Sequence, residues 1–395
     1  MILSIFFFIQ SISASFLAGG VMPDGKVDKV VGAPKEWHAP VCGADVRVAF
    51  VLDWQALSQW NDASMGVGLG YWNMGHEKLG HAVTPYIYMG IPLVKFRCFE
   101  LGVRPGLGAA FMTKTYRNTV ADGHMFVDVT DANQCVGSVA NFYFPEVLYM
   151  NFPLRKGWKL SLAGGWYHIS NGSIRQPNSG YNIFAGEVGV QYDWSSPKES
   201  VRSSRSSSLL FDKRWSVAVA GTAGGRQVYY KDQQSFFVSS MHVAAYWHAH
   251  SIFRLGGGVD VFYDGAYVPR KTLFGKTNLA LARPGDCWRL GVSIQPEFVV
   301  GKFTAGLHVG AYMYDPVKEL EPQWKEDGLP SQRLEKPIFY AYDLLNAGSA
   351  GCPDGWLYTE LVLRYYLPRH VFVQGMMKSH LTKVEFVSLG LGFYY

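Results

Sequence analysis

The stretch Gly157-Trp158-Lys159-Leu160-Ser161-Leu162-Ala163-Gly164-Gly165-Trp166-Tyr167-His168 alternates residue by residue. Its even positions carry Trp158, Leu160, Leu162, Gly164 and Trp166; its odd positions carry Lys159, Ser161, Ala163, Gly165 and Tyr167. Successive side chains of a β-strand point to opposite faces, so this period of two predicts a strand with one apolar face and one small or polar face. Phe303–Met313 repeats the pattern, with Phe303, Ala305, Leu307, Val309, Ala311 and Met313 opposite Thr304, Gly306, His308 and Gly310. In Phe253–Tyr263 the polar row holds Arg254 and Asp260; in Leu357–Leu367 it holds Glu360 and Arg364. Charges set repeatedly opposite an apolar row suit an antiparallel barrel with a polar lumen and a lipid-facing exterior.

Composition agrees. The chain has 395 residues, 15% aromatic and 17% charged, with 43 glycines. Mean hydropathy is +0.01, so apolar and polar residues are mixed finely rather than in blocks. Beyond the N-terminus there is no apolar run of the roughly 18 residues that a membrane helix needs. A net charge of only +5, without a Lys/Arg block, argues against nucleic acid as a partner. The basic, Ser-rich stretch Lys198–Lys213 reads as a solvated turn. Cys42, Cys98, Cys135, Cys287 and Cys352 lie far apart without CxxC or Cys/His ligand spacing, so neither a metal nor another cofactor is expected.

The linkers alternate in length. Short turns are expected near Lys95–Arg97, Arg155–Gly157, His248–His250, Gly301-Lys302 and Pro368-Arg369. Longer segments lie at 114–140, 265–286 and 315–355, as in outer-membrane barrels with short periplasmic turns and long extracellular loops. The Ser-rich segment 195–212 breaks this rule, being long on the short-turn side. Thr382–Tyr395 ends the chain as an alternating strand with a terminal aromatic. The count is about 14 strands from Met65 onward, within about 12–16 because Val46–Trp54 is also strand-like. The expected fold class is therefore all-β, a single transmembrane antiparallel β-barrel over 46–395. Residues 1–15, with the apolar run Ile2–Ile9 and small residues Ser13-Ala14-Ser15, read as a signal peptide, and 16–45 as an N-terminal periplasmic segment. A break at 195–212 into two domains is disfavoured here, because each half would expose sheet edges that only closure removes in lipid.

One segment carries chemistry: His168-Ile169-Ser170-Asn171-Gly172-Ser173-Ile174-Arg175-Gln176-Pro177-Asn178-Ser179-Gly180-Tyr181-Asn182. His168 and Ser170 are two apart and share a strand face. An imidazole so placed can take the hydroxyl proton and activate a serine nucleophile. Both continue the apolar even row, so they face lipid. Asn182 has the parity of Phe184, Val188 and Val190 and is expected outside, beside His168. Glu187 has the opposite parity and is expected in the lumen. Backbone N–H groups of Asn171 and Gly172 are candidate oxyanion donors, and Asn178 a brace for the loop. Arg175 is a candidate contact for a lipid phosphate.

These residues resemble the signature of the lipid A 3-O-deacylases, the PagL-type barrel enzymes: a His-x-Ser-Asn pair, here His168, Ser170 and Asn171, then a Pro-Asn-x-Gly turn, here Pro177, Asn178 and Gly180. The close match spans roughly 160–192; Tyr71–Leu93 and Lys378–Tyr395 look more loosely like larger acyloxyacyl-hydrolase-like barrels. The resemblance implies an eight-stranded barrel, a Ser–His–Glu triad and removal of an ester-linked acyl chain from lipid A. It would make Ser170 the nucleophile and His168 the general base, with lipopolysaccharide acyl chains as partner and the bacterial outer membrane as location. The sequence departs from the family in carrying Asn182 where the family has its Glu, and in a chain more than twice as long as such a barrel needs. Two rival expectations remain: a non-enzymatic barrel, channel or surface scaffold, with a degenerate site, and a soluble lipid-binding barrel with its apolar rows inward.

Overall fold

A computed structural model describes residues 8–22, 40–51, 57, 59–119, 132–194, 213–228, 234–268, 283–321, 332–333, 356–380 and 383–395. The chain divides into two compact units, Met1–Asn171 with Pro177–Ser207, and Gly172–Gln176 with Ser208–Tyr395. The first holds β1 (Phe8–Val21), β2 (Pro40–Val51), β3 (Ser64–Asn73), β4 (His81–Lys95), β5 (Glu100–Met112), β6 (Ala140–Pro153), β7 (Trp158–Ser170) and β8 (Tyr181–Asp193). Each strand pairs antiparallel with the next, and β1 pairs with β8, so the sheet closes into an eight-stranded barrel.

The second unit holds β9 (Trp215–Arg226), β10 (Phe236–His250), β11 (Phe253–Asp264), β12 (Trp288–Val300) and β13 (Phe303–Tyr314). A short hairpin follows, β14 (Leu320–Glu321) with β15 (Gln332–Arg333), then β16 (Leu357–Tyr366), β17 (Val371–His380) and β18 (Lys383–Tyr394). Here β18 pairs with β9, and a second eight-stranded barrel closes.

The single barrel of about 14 strands is thus corrected to two closed barrels of eight. The strands counted from Met65 are all present, and Val46–Trp54 overlaps β2. Their partition differs, because each unit joins its own first and last strands. That pairing supplies the edge closure whose absence argued against a division. Segment 195–212 runs in sequence from the last strand of one barrel to the first of the next, which accounts for a long connection on the short-turn side. That segment itself, most of the 315–355 loop and Cys352 lie outside the described residues.

The N-terminal residues expected as a leader (1–15) and a periplasmic segment (16–45) include two strands. Residues 1–7 and 23–39 lie outside the described residues, but Phe8–Val21 and Pro40–Val51 are barrel strands. Ser11, Ser13 and Ser15 are buried on the inward row, whereas Ile12 and Phe16 are exposed. Ser13 and Ser15 thus lie on the inward row, and Ala14 between them faces outward.

In both units the outward rows are apolar. Val46, Leu69, Ile87, Leu148, Leu162 and Val188 are exposed in the first; Val217, Val259, Ile294, Leu307, Leu389 and Phe393 in the second. The inward rows are charged and buried. In the first barrel Arg47 meets Asp45, Glu187, Ser13 and Ser15, while Arg104 also binds Glu187 at 2.7 Å. In the second, Arg254 and Arg364 bind Glu297, and Lys378, Arg289 and Arg226 bind Glu385. Lys159 sits nearer the rim, half-buried, 2.7 Å from Asp193. A barrel with charges inside and aliphatic rows outside is turned inside out relative to one dissolved in water, and it suits lipid. That distribution opposes the soluble lipid-binding alternative. Among the described residues no helix is long and apolar enough to cross a membrane.

Candidate active site

Strands β7 and β8 form a hairpin whose register sets His168 opposite Asn182, Trp166 opposite Phe184 and Gly164 opposite Gly186. Tyr167 and Ile169 are buried in the core, so the even residues of β7 look outward. At the strand's end the chain leaves the sheet through positive φ at Gly172 (64°) and Ser173 (65°) and returns at Gly180 (76°). The returning residues Asn178 and Gly180 sit against Ser170 and His168. His168 is half-buried and Ser170 only 4% exposed, although both belong to the outward row.

Gly180 is where the two meet. A Cβ on it would lie 3.1 Å from His168 Cε1 and 3.5 Å from Ser170 Cβ, so both side chains converge on this glycine. Its positive φ and the missing side chain are required together. Its N–H donates to the Cys135 carbonyl at 2.8 Å, pinning the turn to the β5–β6 connection.

Asn182 Oδ1 lies 2.8 Å from His168 Nδ1 and 3.2 Å from Trp166 Nε1. Indole N–H only donates, so the Asn182 atom that receives it is the amide oxygen. The same oxygen therefore accepts the His168 Nδ1 proton, which leaves Nε2 as the basic atom of the ring. The Trp166 and His168 rings stack at 5.3 Å, and Phe144 flanks the imidazole at 6.3 Å. Asn178 is oriented by the same logic. Its Oδ1 accepts the Asn171 backbone N–H at 3.0 Å, so its Nδ2 donates to Ser170 Oγ at 2.9 Å.

Asn171 has its backbone N–H engaged by Asn178 and its side chain by Ser138 Oγ at 2.8 Å, so in this geometry it braces the loop. The donor aimed at Ser170 comes from Asn178. Gly172 contributes the positive φ of the turn, and Arg175 is exposed. Glu187 points inward, 3% exposed, and takes Tyr167 OH at 2.6 Å, Arg104 at 2.7 Å and Arg47 at 3.0 Å.

A shallow, open groove lies on the wall beside Trp166. It is floored by Gly164, Gly165, Ala185 and Gly186 and flanked by Trp166 and Phe184. It was not foreseen, because it exists only through the β7–β8 register that lays glycine beside glycine. The role of Trp166 escaped for the same reason. The run of small residues Ala163-Gly164-Gly165 was its only signal in sequence.

The profile of the lipid A 3-O-deacylase (PagL) family matches residues 43–191, which include His168, Ser170, Asn178 and Asn182. That of the acyloxyacyl hydrolase C-terminal domain matches residues 213–329, in the second barrel. Among curated proteins nothing matches the chain. Similar solved structures include a triple mutant of the Rhodopseudomonas blastica porin, at 10% identity over 99% of this chain and 100% of that one, with a TM-score of 0.18. The CdiB protein of Acinetobacter baumannii is 8% identical over 98% and 60%, with a TM-score of 0.18. The ferric enterobactin receptor PfeA is 8% identical over 98% and 68%, with a TM-score of 0.25. Scores this low do not establish a shared fold. The family matches, which cover most of the chain, do establish kinship: the protein belongs to the lipid A 3-O-deacylase (PagL) family, its second barrel matching the acyloxyacyl hydrolase C-terminal domain.

Proposed function

We propose that the protein is an outer-membrane esterase that removes an ester-linked acyl chain from lipid A, with Ser170 as nucleophile, His168 as general base and Asn182 as the residue that orients the base. The observation carrying this reading is the Asn182 bond to His168 Nδ1 at 2.8 Å, which turns the basic nitrogen of an outward-facing imidazole toward chemistry. An orienting residue, a base and a serine form the hydrolase constellation even with an amide in the third place.

Ser170 Oγ attacks the ester carbonyl carbon while His168 Nε2 takes its proton. The carbonyl π pair moves onto oxygen, and Asn178 Nδ2, which donates to Ser170 Oγ beforehand, is the donor assigned to it. The intermediate collapses, the bond to the sugar oxygen breaks, and His168 returns its proton to that oxygen. Water, deprotonated by His168, then attacks the acyl-serine; the bond to Ser170 Oγ breaks, His168 returns the proton to that oxygen, and the fatty acid leaves. Asn182 cannot offset the imidazolium with a charge. The stacked Trp166 face can, since aromatic faces attract cations. The groove by Gly164 and Gly186 is placed to take the acyl chain, which explains why a hydrolase site stands on an outer wall.

Mass spectrometry of lipid A from cells with and without the protein tests this. The expected result is loss of one acyl chain, abolished by Ser170→Ala. Identical lipid A in both strains would end the reading.

A further inference from the structure

Within the second barrel, three strands bring titratable side chains together, and a fourth strand sets His308 beside one of them. His242 on β10 is the cross-strand partner of Asp260 on β11, and His308 on β13 that of Glu360 on β16. All four are buried, none more than 4% exposed. Donor atoms of His242, Asp260 and Glu360 lie within 4.8 Å of one another. His242 Nδ1 is 2.8 Å from Asp260 Oδ1 and 3.9 Å from Glu360 Oε1, and His308 Nδ1 is 3.4 Å from Glu360 Oε2.

The hydrogen bonds leave this cluster incomplete in one direction. Among the described residues, neither carboxylate oxygen of Glu360 has a hydrogen-bond partner, and neither does His308 Nδ1. His308 Nε2 faces Glu297 Oε1 at 2.9 Å, and a carboxylate only accepts, so Nε2 carries the proton of the neutral ring. Its Nδ1 lies 3.4 Å from Glu360 Oε2, outside hydrogen-bond geometry. The neighbouring cations have carboxylate partners of their own. Arg254 and Arg364 bind Glu297, while Lys378, the cross-strand neighbour of Glu360, binds Glu385. A buried carboxylate without compensation is unfavourable, so a cation between these groups would resolve the arrangement.

We propose that His242, Asp260 and Glu360, joined by His308 through its contact with Glu360, bind a divalent transition-metal ion of the zinc class. Two imidazole nitrogens and carboxylate oxygens without thiolate select that class over calcium or magnesium, which take oxygen ligands. Outer partners are in place for three ligands. Ser240 Oγ lies 2.6 Å from His242 Nε2, Glu297 holds His308 Nε2, and Tyr358 OH donates to Asp260 Oδ2 at 2.6 Å. Metal at His242 Nδ1 moves that ring's proton to Nε2, where Ser240 Oγ accepts it, with no net proton change. Such partners fix tautomer and ring orientation around a bound ion. The ligands come from four separate strands, so the sequence holds no ligand spacing to give them away and the expectation of no metal followed.

The test uses the full chain in detergent, stripped with EDTA, reloaded with ZnCl2, gel-filtered and analysed by mass spectrometry for zinc. The expected content is about one zinc per chain. His168→Ala keeps it, whereas folded His242→Ala and Glu360→Gln lose it. In parallel, CoCl2 added to the stripped wild-type protein gives the visible d–d bands of a low-coordinate nitrogen/oxygen site, a readout that holds even if the variants fail to fold. Zinc at buffer level with no cobalt bands overturns the proposal. Zinc retained equally by the two ligand variants overturns it as well, since it would then be held elsewhere.

Discussion

Asn182 and Glu187 stand five residues apart on one strand and face opposite sides of the barrel wall. The odd separation sends the amide out to His168 and Trp166, and the carboxylate in to Arg47, Arg104 and Tyr167. No rotamer of Glu187 brings it through the sheet, so the imidazole is oriented without a negative charge.

Asn182→Asp restores that charge at equal size, and both neighbours of the side chain are donors that a carboxylate accepts. In serine proteases the exchange of carboxylate for amide costs about 10⁴-fold in kcat. Here the reverse exchange is expected to raise fatty-acid release from lipid A micelles by about tenfold or more. Asn182→Ala is expected to lower it by about tenfold. A slower Asn182→Asp enzyme would contradict the assigned role.

Glu187→Gln removes the carboxylate that holds two buried guanidinium groups. Breaking one side of a buried ion pair costs about 3–5 kcal/mol. The midpoint of heat-induced unfolding, followed by gel mobility in detergent, should fall clearly, while kcat per folded molecule stays unchanged. A selective loss of kcat would place Glu187 in the catalytic apparatus after all.

Asn178→Asp separates two functions of one side chain. The variant keeps an acceptor for the Asn171 N–H but turns an oxygen toward Ser170 Oγ in place of the amide donor. Loss of one donor to a developing oxyanion costs about 10²–10³-fold in kcat. A drop of about 10²-fold at unchanged thermal midpoint is expected. Unchanged kcat would mean that Asn178 only braces the loop.

Gly164→Leu tests the groove. A Cβ at Gly164 meets nothing closer than the Ala185 carbonyl oxygen at 3.9 Å, so the backbone tolerates it and the side chain fills the groove. KM for long-chain esters should rise about tenfold, a typical cost of losing a few methylene contacts. Short-chain ester hydrolysis should change little. Equal effects on both chain lengths would show that the acyl chain lies elsewhere.

Strand identity was legible because the period of two survives wherever one face meets lipid, as in Trp158–Trp166 and Phe303–Met313. Closure was not. The same alternation serves one wide barrel or two narrow ones, and which strands pair at the seam is a long-range matter. Phe8–Val21, an apolar run with interspersed serines, reads in sequence as a leader, and its strand pairing with Val188 and Gln191 is a long-range matter. At the site, His168, Ser170, Asn178 and the outward face of Asn182 follow from parity and turn chemistry. The Trp166 clamp, the glycine floor and the engagement of the Asn171 N–H depend on register and on how the loop folds back, which local sequence does not encode.

Each barrel's seam joins the segments farthest apart in its own sequence, Ser11 with Asp193 and Ala218 with Tyr394. Contacts of such range form late, because bringing distant segments together costs entropy before any hydrogen bond rewards it. The hairpins therefore precede the seams. Until the seam forms, each growing sheet offers two bare edges to any strand nearby. Vulnerability to strand exchange thus ends at a single pairing event, and this chain must reach that event twice.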